Sequence, residues 1–196
     1  MADIKSALEI AKEKVEKLGE ATDEERLRWQ YVPEGERLGA KYIKQECNLV
    51  AELSQYPEKV RKYVSEGAED ILIRNISLPR GDWAKKNNRQ AMDGLKALKT
   101  DKVGVENVYS QIRRIFNHYL KEGEQQKKRA YESLKVEFGV KVQQAVAKQL
   151  DSLLGVKIDV ERLPQFQDEW RRLQSQLDSQ YTTLLDEHKR ELRAVS

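Results

Sequence analysis

The chain predicts an all-α fold: an elongated bundle of six or seven helices that ends in a long antiparallel helical hairpin. Three observations carry this prediction. Apolar residues recur at spacings of three and four through most of the 196 residues, the period of helices with one buried face. Hydrophobic residues make up 39% and charged residues 35%, a balance that suits thin cores and long exposed helical faces. The stretch "EGEQQKKRAYESLKVEFGVKVQQAVAKQLDSLLG", Glu122 to Gly155, contains no proline and almost nothing that breaks a helix.

Taken in order, Ile4, Leu8, Ala11, Val15 and Leu18 form one stripe on a helix from about Asp3 to Lys17, closed by Gly19. Thr22 or Asp23 caps the next helix, and acidic residues crowd its first turn, where the helix dipole favours them. Pro33 ends that helix or begins another. Leu38, Tyr42, Leu49 and Leu53 share one face of the following segment, in which Gly35 and Gly39 each cost about 1 kcal/mol relative to Ala. Pro57 suits a first helical position, and Val60, Val64, Ala68, Ile71 and Asn75 continue the pattern. "SLPRGD" is a loop that leaves Asp82 as the N-cap of a helix reaching about Lys99, with Met92, Leu95 and Leu98 on a narrow apolar face.

After "TDKVG" comes the strongest stripe in the chain: Val105, Val108, Ile112, Ile115, Phe116, Tyr119 and Leu120. A single glycine, Gly123, does not oblige a helix to stop, so one helix can run from Val105 to Leu154, with Tyr131, Leu134, Phe138 and Val142 near one face. "GVKIDVERL" is an extended connector. Pro164 starts the last helix, lined by Phe166, Trp170, Leu173, Leu177, Tyr181, Leu184 and Leu185. Residues 123–154 and 164–195 offer two arms of equal length, each about 48 Å at 1.5 Å per residue. The apolar spacing drifts toward 3.6, which favours bundle packing over a strict coiled coil. Residues 1–102 are assigned to an N-terminal helical bundle and 103–196 to the hairpin, packed together as one unit.

Cys47 is the only cysteine, which excludes an intrachain disulfide and a cysteine-based zinc site and fits a reducing cytosol. The N-terminus lacks the apolar core of a signal peptide, and no stretch approaches the roughly 20 apolar residues that span a bilayer. The expectation is a cytoplasmic protein with no membrane partner. A four-helix carboxylate metal site needs Glu-x-x-His on two helices, but Ile115 and Leu185 stand three residues before His118 and His188. No phosphate-binding loop, dinucleotide fingerprint or nucleophile elbow occurs. The sequence therefore points to no catalytic, cofactor-binding or metal-binding residue, no cofactor, and a protein that is not an enzyme. Trp29 and Trp170 fall within helical stripes and belong to the core, while Trp83 belongs at the surface.

Charge is unevenly spread. Residues 1–70 hold 12 Lys/Arg and 16 Asp/Glu, residues 71–135 hold 15 and 7, and residues 136–196 hold 9 and 10. The densest basic segment, "RNISLPRGDWAKKNNRQ", carries Arg74, Arg80, Lys85, Lys86 and Arg89 around Trp83, with Asn75, Asn87 and Asn88 as hydrogen-bond donors. Cations at this density suit a phosphate backbone, and an indole can stack on an unpaired base. Arg113 and Arg114, then Lys127, Lys128 and Arg129, extend such a surface. The competing reading, which is favoured, is that these residues balance the acidic first 70 residues or solvate a narrow-faced helix.

The stretches "EKLGEATDEERLRWQYVPEGERLGAKYI" and "GVKIDVERLPQFQDEWRRLQSQLDSQY" resemble an uncharacterised bacterial all-helical family of unknown function. The resemblance covers most of the chain. It implies a bacterial source and supplies no site residues. The functional expectation is a non-enzymatic helical scaffold or protein-interaction protein that forms a homo-oligomer or binds another protein, because long helices with one apolar stripe bury it against a neighbour. The alternative is an anion or nucleic-acid binder acting through residues 74–89.

Overall fold

The structure is a computed structural model that describes residues 22–149 and 159–196. The helix expected over Asp3–Lys17, positions 150–154 of the expected long arm and positions 155–158 of the expected connector lie outside the described residues; the rest of the connector holds a single 3₁₀ turn, Val160–Arg162. Among the described residues every regular element is helical, as the apolar period requires. The chain forms two compact units, Met1–Leu72 and Ile73–Ser196. The division falls inside a helix, whereas the sequence reading places its boundary at residue 102.

In the first unit, α1 spans Asp23–Ile43, α2 spans Leu49–Ser54, and α3 begins at Glu58 and runs to Asn75, across the division. Thr22 caps α1 in a reciprocal capping box with Glu25, which satisfies two of the four donors a helix start leaves unpaired. Pro33 lies inside α1 rather than at its end, so the helix tolerates one missing hydrogen bond. Its other end falls at Ile43, and Gln45 takes a positive φ of 64°. The single face expected from Leu38 to Leu53 is therefore broken into α1 and α2. Trp29, expected in the core, is 67% exposed.

The glycines of α1 explain themselves through α3. A Cβ added at Gly35 would meet the Val64 carbonyl oxygen at 2.0 Å, and one added at Gly67 would meet the Val32 oxygen at 2.0 Å. The two helix backbones touch where both lack a side chain. Such an approach costs helix propensity at each glycine and returns close packing and Cα–H···O interactions. Lys62 pairs with Glu24 at 3.0 Å, and Arg28 with Glu66, flanking the crossing.

In the second unit, α4 spans Asp82–Leu98, α5 Lys102–His118, α6 Glu124–Gln149 and α7 Pro164–Ala194. Gly81, with φ 116°, occupies the cap position before α4, and Asp82 belongs to the first turn instead of capping it. The α4–α5 pair is tied by Tyr109, whose hydroxyl donates to the Met92 carbonyl at 2.7 Å, and by Lys96–Glu106 at 2.9 Å. These bonds join α4 to the hairpin that follows it. At the turn between them, the Thr100 and Asp101 amides donate to the Ser196 carbonyl at 3.0 and 2.9 Å.

α5 and α6 are one rod, joined through a π-helical turn at Tyr119–Gly123. The inward positions Val105, Val108, Ile112 and Tyr119 continue by threes and fours to 126, 130, 133 and 137. The residues that pack are instead Lys127, Tyr131, Leu134 and Phe138. The seam slips by one residue, and the wide turn takes up the surplus.

α7 runs antiparallel along this rod. Phe166 meets Phe138 and Tyr131, Trp170 meets Tyr131, and Tyr181 meets His118 and Tyr119. Its far end approaches Gly104, where an added Cβ would stand 3.3 Å from Val195. The paired stretch thus runs from Gly104 to Phe138. The arms are not the equal pair 123–154 and 164–195: α7 spends half its length on α5, and the last turns of α6 extend beyond Pro164. The apolar period set the face of each helix but not where along the rod α7 begins.

Candidate anion-binding trough

Two open cavities of the second unit share Pro79, Lys85 and Leu120 in their walls. The first, about 610 Å³, brings Arg80 and Lys85 from the start of α4 to Lys127 and Lys128 of α6, against Glu124, with Tyr131 and Trp170 as aromatic walls. The second, about 560 Å³, sets Lys85, Arg89, Lys96 and Arg113 against Asp93 and Glu106 between α4 and α5.

The loop before α4 is held from below. Asn88 accepts from the Ser77 amide at 2.8 Å and donates to the Ser77 carbonyl at 2.7 Å, and Asn87 donates to the Asn75 side chain at 3.1 Å. Asn87 and Asn88 are buried and spend these groups on fixing the loop, although Asn88 also lines the second cavity. The loop in turn presents Arg80 and the first amides of α4, which no side chain caps. A 17-residue helix carries about half a positive charge at that end.

Behind the first cavity lies a buried ion cluster. Asp178 of α7, its side chain 4% exposed, meets Arg80 at 2.7 Å and Lys127 at 2.9 Å. Neither Asp178 oxygen has a well-aligned hydrogen bond, so the close ion pairs to Arg80 and Lys127 are what hold it. Lys127 also donates to the Tyr119 hydroxyl and lies over its ring. Burial pulls the Lys127 ammonium down, but the bond to Tyr119 and the pairing with Asp178 outweigh it and leave the group raised. Lys127 is therefore a fixed cation. The second cavity repeats the arrangement nearer the surface: Glu106 is shared by Lys96 and Arg113, and those bonds, Lys96 first, hold its carboxyl below the usual range. In the second cavity one carboxylate serves two cations, whereas in the first Lys127 also has Glu124 at 3.6 Å; the positive excess there rests on Lys128 and on Lys85, which meets the exposed Asp82 at 3.1 Å.

The aromatic end is equally fixed. Tyr131 and Trp170 stand edge to face with centroids 4.9 Å apart, and the Tyr131 hydroxyl donates to Glu161 at 2.7 Å. That bond raises the Tyr131 phenol and lowers the Glu161 carboxyl. Trp170 precedes Asp178 by eight residues on α7, so the indole lies about 12 Å along the helix from the ion cluster.

Of the six residues singled out by sequence, Arg80, Lys85 and Arg89 enter the cavities. Arg74 stands exposed in the last turn of α3, and Lys86 lines neither cavity. Trp83 is 77% exposed. It lines a third groove with Arg80, Thr182, Leu185 and Lys189, where burial pushes the Lys189 ammonium down. The indole in the wall of the first cavity is Trp170 instead. Neither histidine enters the trough: His118 bonds the Tyr181 hydroxyl at 2.9 Å and His188 meets Glu191 at 2.9 Å. Cys47 is half-buried, and burial raises its thiol. No cluster of three or more potential metal ligands occurs among the described residues. No helix among them is long and apolar enough to cross a membrane.

Fold and cleft together define an all-helical protein with a basic trough that ends in two aromatic rings. The family of unknown function DUF6657 matches residues 50–194, and the chain belongs to it. The matched span takes in the whole trough. No curated protein and no solved structure matches the chain.

Proposed function

We propose that this protein is a non-catalytic binding protein that takes a phosphate-bearing anion into the cavity between the start of α4, α6 and α7. One observation carries the reading: Arg80, Lys85, Lys127 and Lys128, from two distant stretches of sequence, converge on one open cavity at an uncapped helix N-terminus. Fixed cations and oriented amides favour a multiply charged oxyanion without needing rearrangement. Isothermal titration with tripolyphosphate at about 50 mM salt tests it, since low salt preserves such interactions. Lys85→Ala with Lys128→Ala removes two exposed ammonium groups without touching the buried cluster, and is expected to weaken binding about tenfold or more. Absence of binding by the unaltered protein, or unchanged affinity in the double variant, rejects the proposal.

A second reading, self-association, is favoured by a different observation. Most apolar stripes of the second unit are covered within the chain, but Val136 and Val140 on α6 are 66% and 47% exposed, and Gly139 between them faces open space. Val136 lies on the exposed side at the end of the paired stretch and Val140 just beyond it, and a second copy of the same helix can cover them. Light scattering after gel filtration should show a dimer that Val136→Glu with Val140→Glu dissociates; a monomer at all concentrations removes this reading. We also propose a cytoplasmic location, supported by the single cysteine, which cell fractionation checks.

A further inference from the structure

We infer that the two cavities act as one trough for single-stranded nucleic acid, an inference that rests on the anion-binding reading above and specifies its ligand. The cavities adjoin, with Pro79, Lys85 and Leu120 lining both. Along the α5–α6 rod, lining residues recur every three or four positions from Glu106 to Tyr131. That stretch is about 37 Å long at 1.5 Å per residue. At a stacked spacing of about 3.4 Å it faces up to about eleven nucleotides.

The cations are spread over this length instead of gathered at one point. Arg80, Lys127 and Lys128 stand at one end, Lys85 at the junction, and Arg89 and Arg113 at the other. A single small anion needs one such cluster, whereas a chain of regularly spaced phosphates meets all of them. Lys128 at one end and Arg89 at the other add charge beyond the pairs that Asp178, Glu124 and Glu106 form. The pair Tyr131–Trp170 supplies what a phosphate does not use. An unpaired base has an exposed π face that stacks on such rings, while bases within a duplex are already stacked. An acidic peptide would answer the charge but gain nothing specific from the indole.

The test uses fluorescence anisotropy of labelled 12-nucleotide and 4-nucleotide single strands, as DNA and as RNA, with the full chain at several salt concentrations. The 12-mer should bind at least tenfold more tightly than the 4-mer. Arg89→Ala, at the far cavity, should weaken the 12-mer and lower the slope of log affinity against log salt by about 0.7 for each phosphate that the variant no longer neutralises. Trp170→Leu should weaken the oligonucleotide by roughly 5- to 150-fold, and Trp170→Phe, which keeps a ring against Tyr131, should restore most of it. Equal affinity for 4-mer and 12-mer, indifference to both Arg89→Ala and Trp170→Leu, or equal competition by polyglutamate would overturn the inference. Tripolyphosphate binding without oligonucleotide binding refutes this inference alone; failure of both ligands refutes the anion-binding reading beneath it.

Discussion

The same substitution, glycine to alanine, should act with opposite sign at two helical positions of this chain. At Gly67 an added Cβ would stand 2.0 Å from the Val32 carbonyl oxygen and 2.9 Å from the Glu36 nitrogen. Both are backbone atoms, so no side chain can swing aside. Ordinary van der Waals separation begins near 3.4 Å, so α1 and α3 must part by more than an ångström. A gap of that size forfeits about half or more of the dispersion energy across the crossing, where Val64 and Ala68 are fully buried. Over-packing of this kind costs about 1–3 kcal/mol, and the weakened dispersion adds to it, while alanine returns about 1 kcal/mol of helix propensity. The net expectation is a loss of about 2–3 kcal/mol, or roughly 4–12 °C in Tm for a chain of this size. At Gly139 nothing lies within 4 Å of the added atom, and alanine should stabilise by about 0.5–1 kcal/mol. Thermal and urea melts followed by circular dichroism at 222 nm measure both. A Gly67→Ala protein as stable as the parent would refute the close crossing and the account of why α1 carries its glycines.

Two further outcomes follow from the charges. Asp178→Ala takes the nearer carboxylate from Lys127, whose side chain is 8% exposed, and leaves it only Glu124 at 3.6 Å, so it should destabilise the second unit by about 3 kcal/mol; pairing it with Lys127→Met should recover much of the loss, and a melt that Asp178→Ala leaves unchanged would mean the pair is not buried. Hydrogen bonds hold the Glu24 carboxyl (chiefly from Lys62), the Glu106 carboxyl (chiefly from Lys96) and the Glu161 carboxyl (chiefly from Tyr131) below the usual range. Folded values below unfolded ones mean stability that is present above about pH 4.3 and lost as pH falls through the folded values. Melting temperature should therefore fall between about pH 5 and about pH 2–3, and a Tm that holds level or rises over that interval would contradict these pairings.

Helix identity was legible because burial on one side imposes a period, and the stripes from Val105 to Tyr119 and from Phe166 to Leu185 carry it plainly. What the period does not encode is the partner. Gly35 and Gly39 read as weak helix formers until α3 is seen lying against them. Their spacing of four signals a close crossing, but nothing in α1 says which helix crosses. Half of the basic segment reached the trough, since Lys85 and Arg89 share one side of α4 while Trp83 lies on the other. Trp170 and Tyr131 were hidden by their own hydrophobicity, because a ring in an apolar stripe looks like core even when it ends a cavity. Asp178 did leave a trace. It sits between Leu177 and Tyr181, where burial is expected, and a carboxylate in such a position requires a cation from elsewhere in the fold.

The wide turn at Tyr119–Gly123 has a bearing on how this chain tolerates changes of length. In a regular helix, gaining or losing one residue swings everything beyond it through about 100°, and a rod of this size would then turn its greasy edge away from its neighbour. Here the extra member is already stored in a loosened coil. Dropping one residue from that coil tightens it to ordinary pitch and leaves both ends of the rod facing as before. It acts as an expansion joint, and single-residue differences between relatives are best accommodated there.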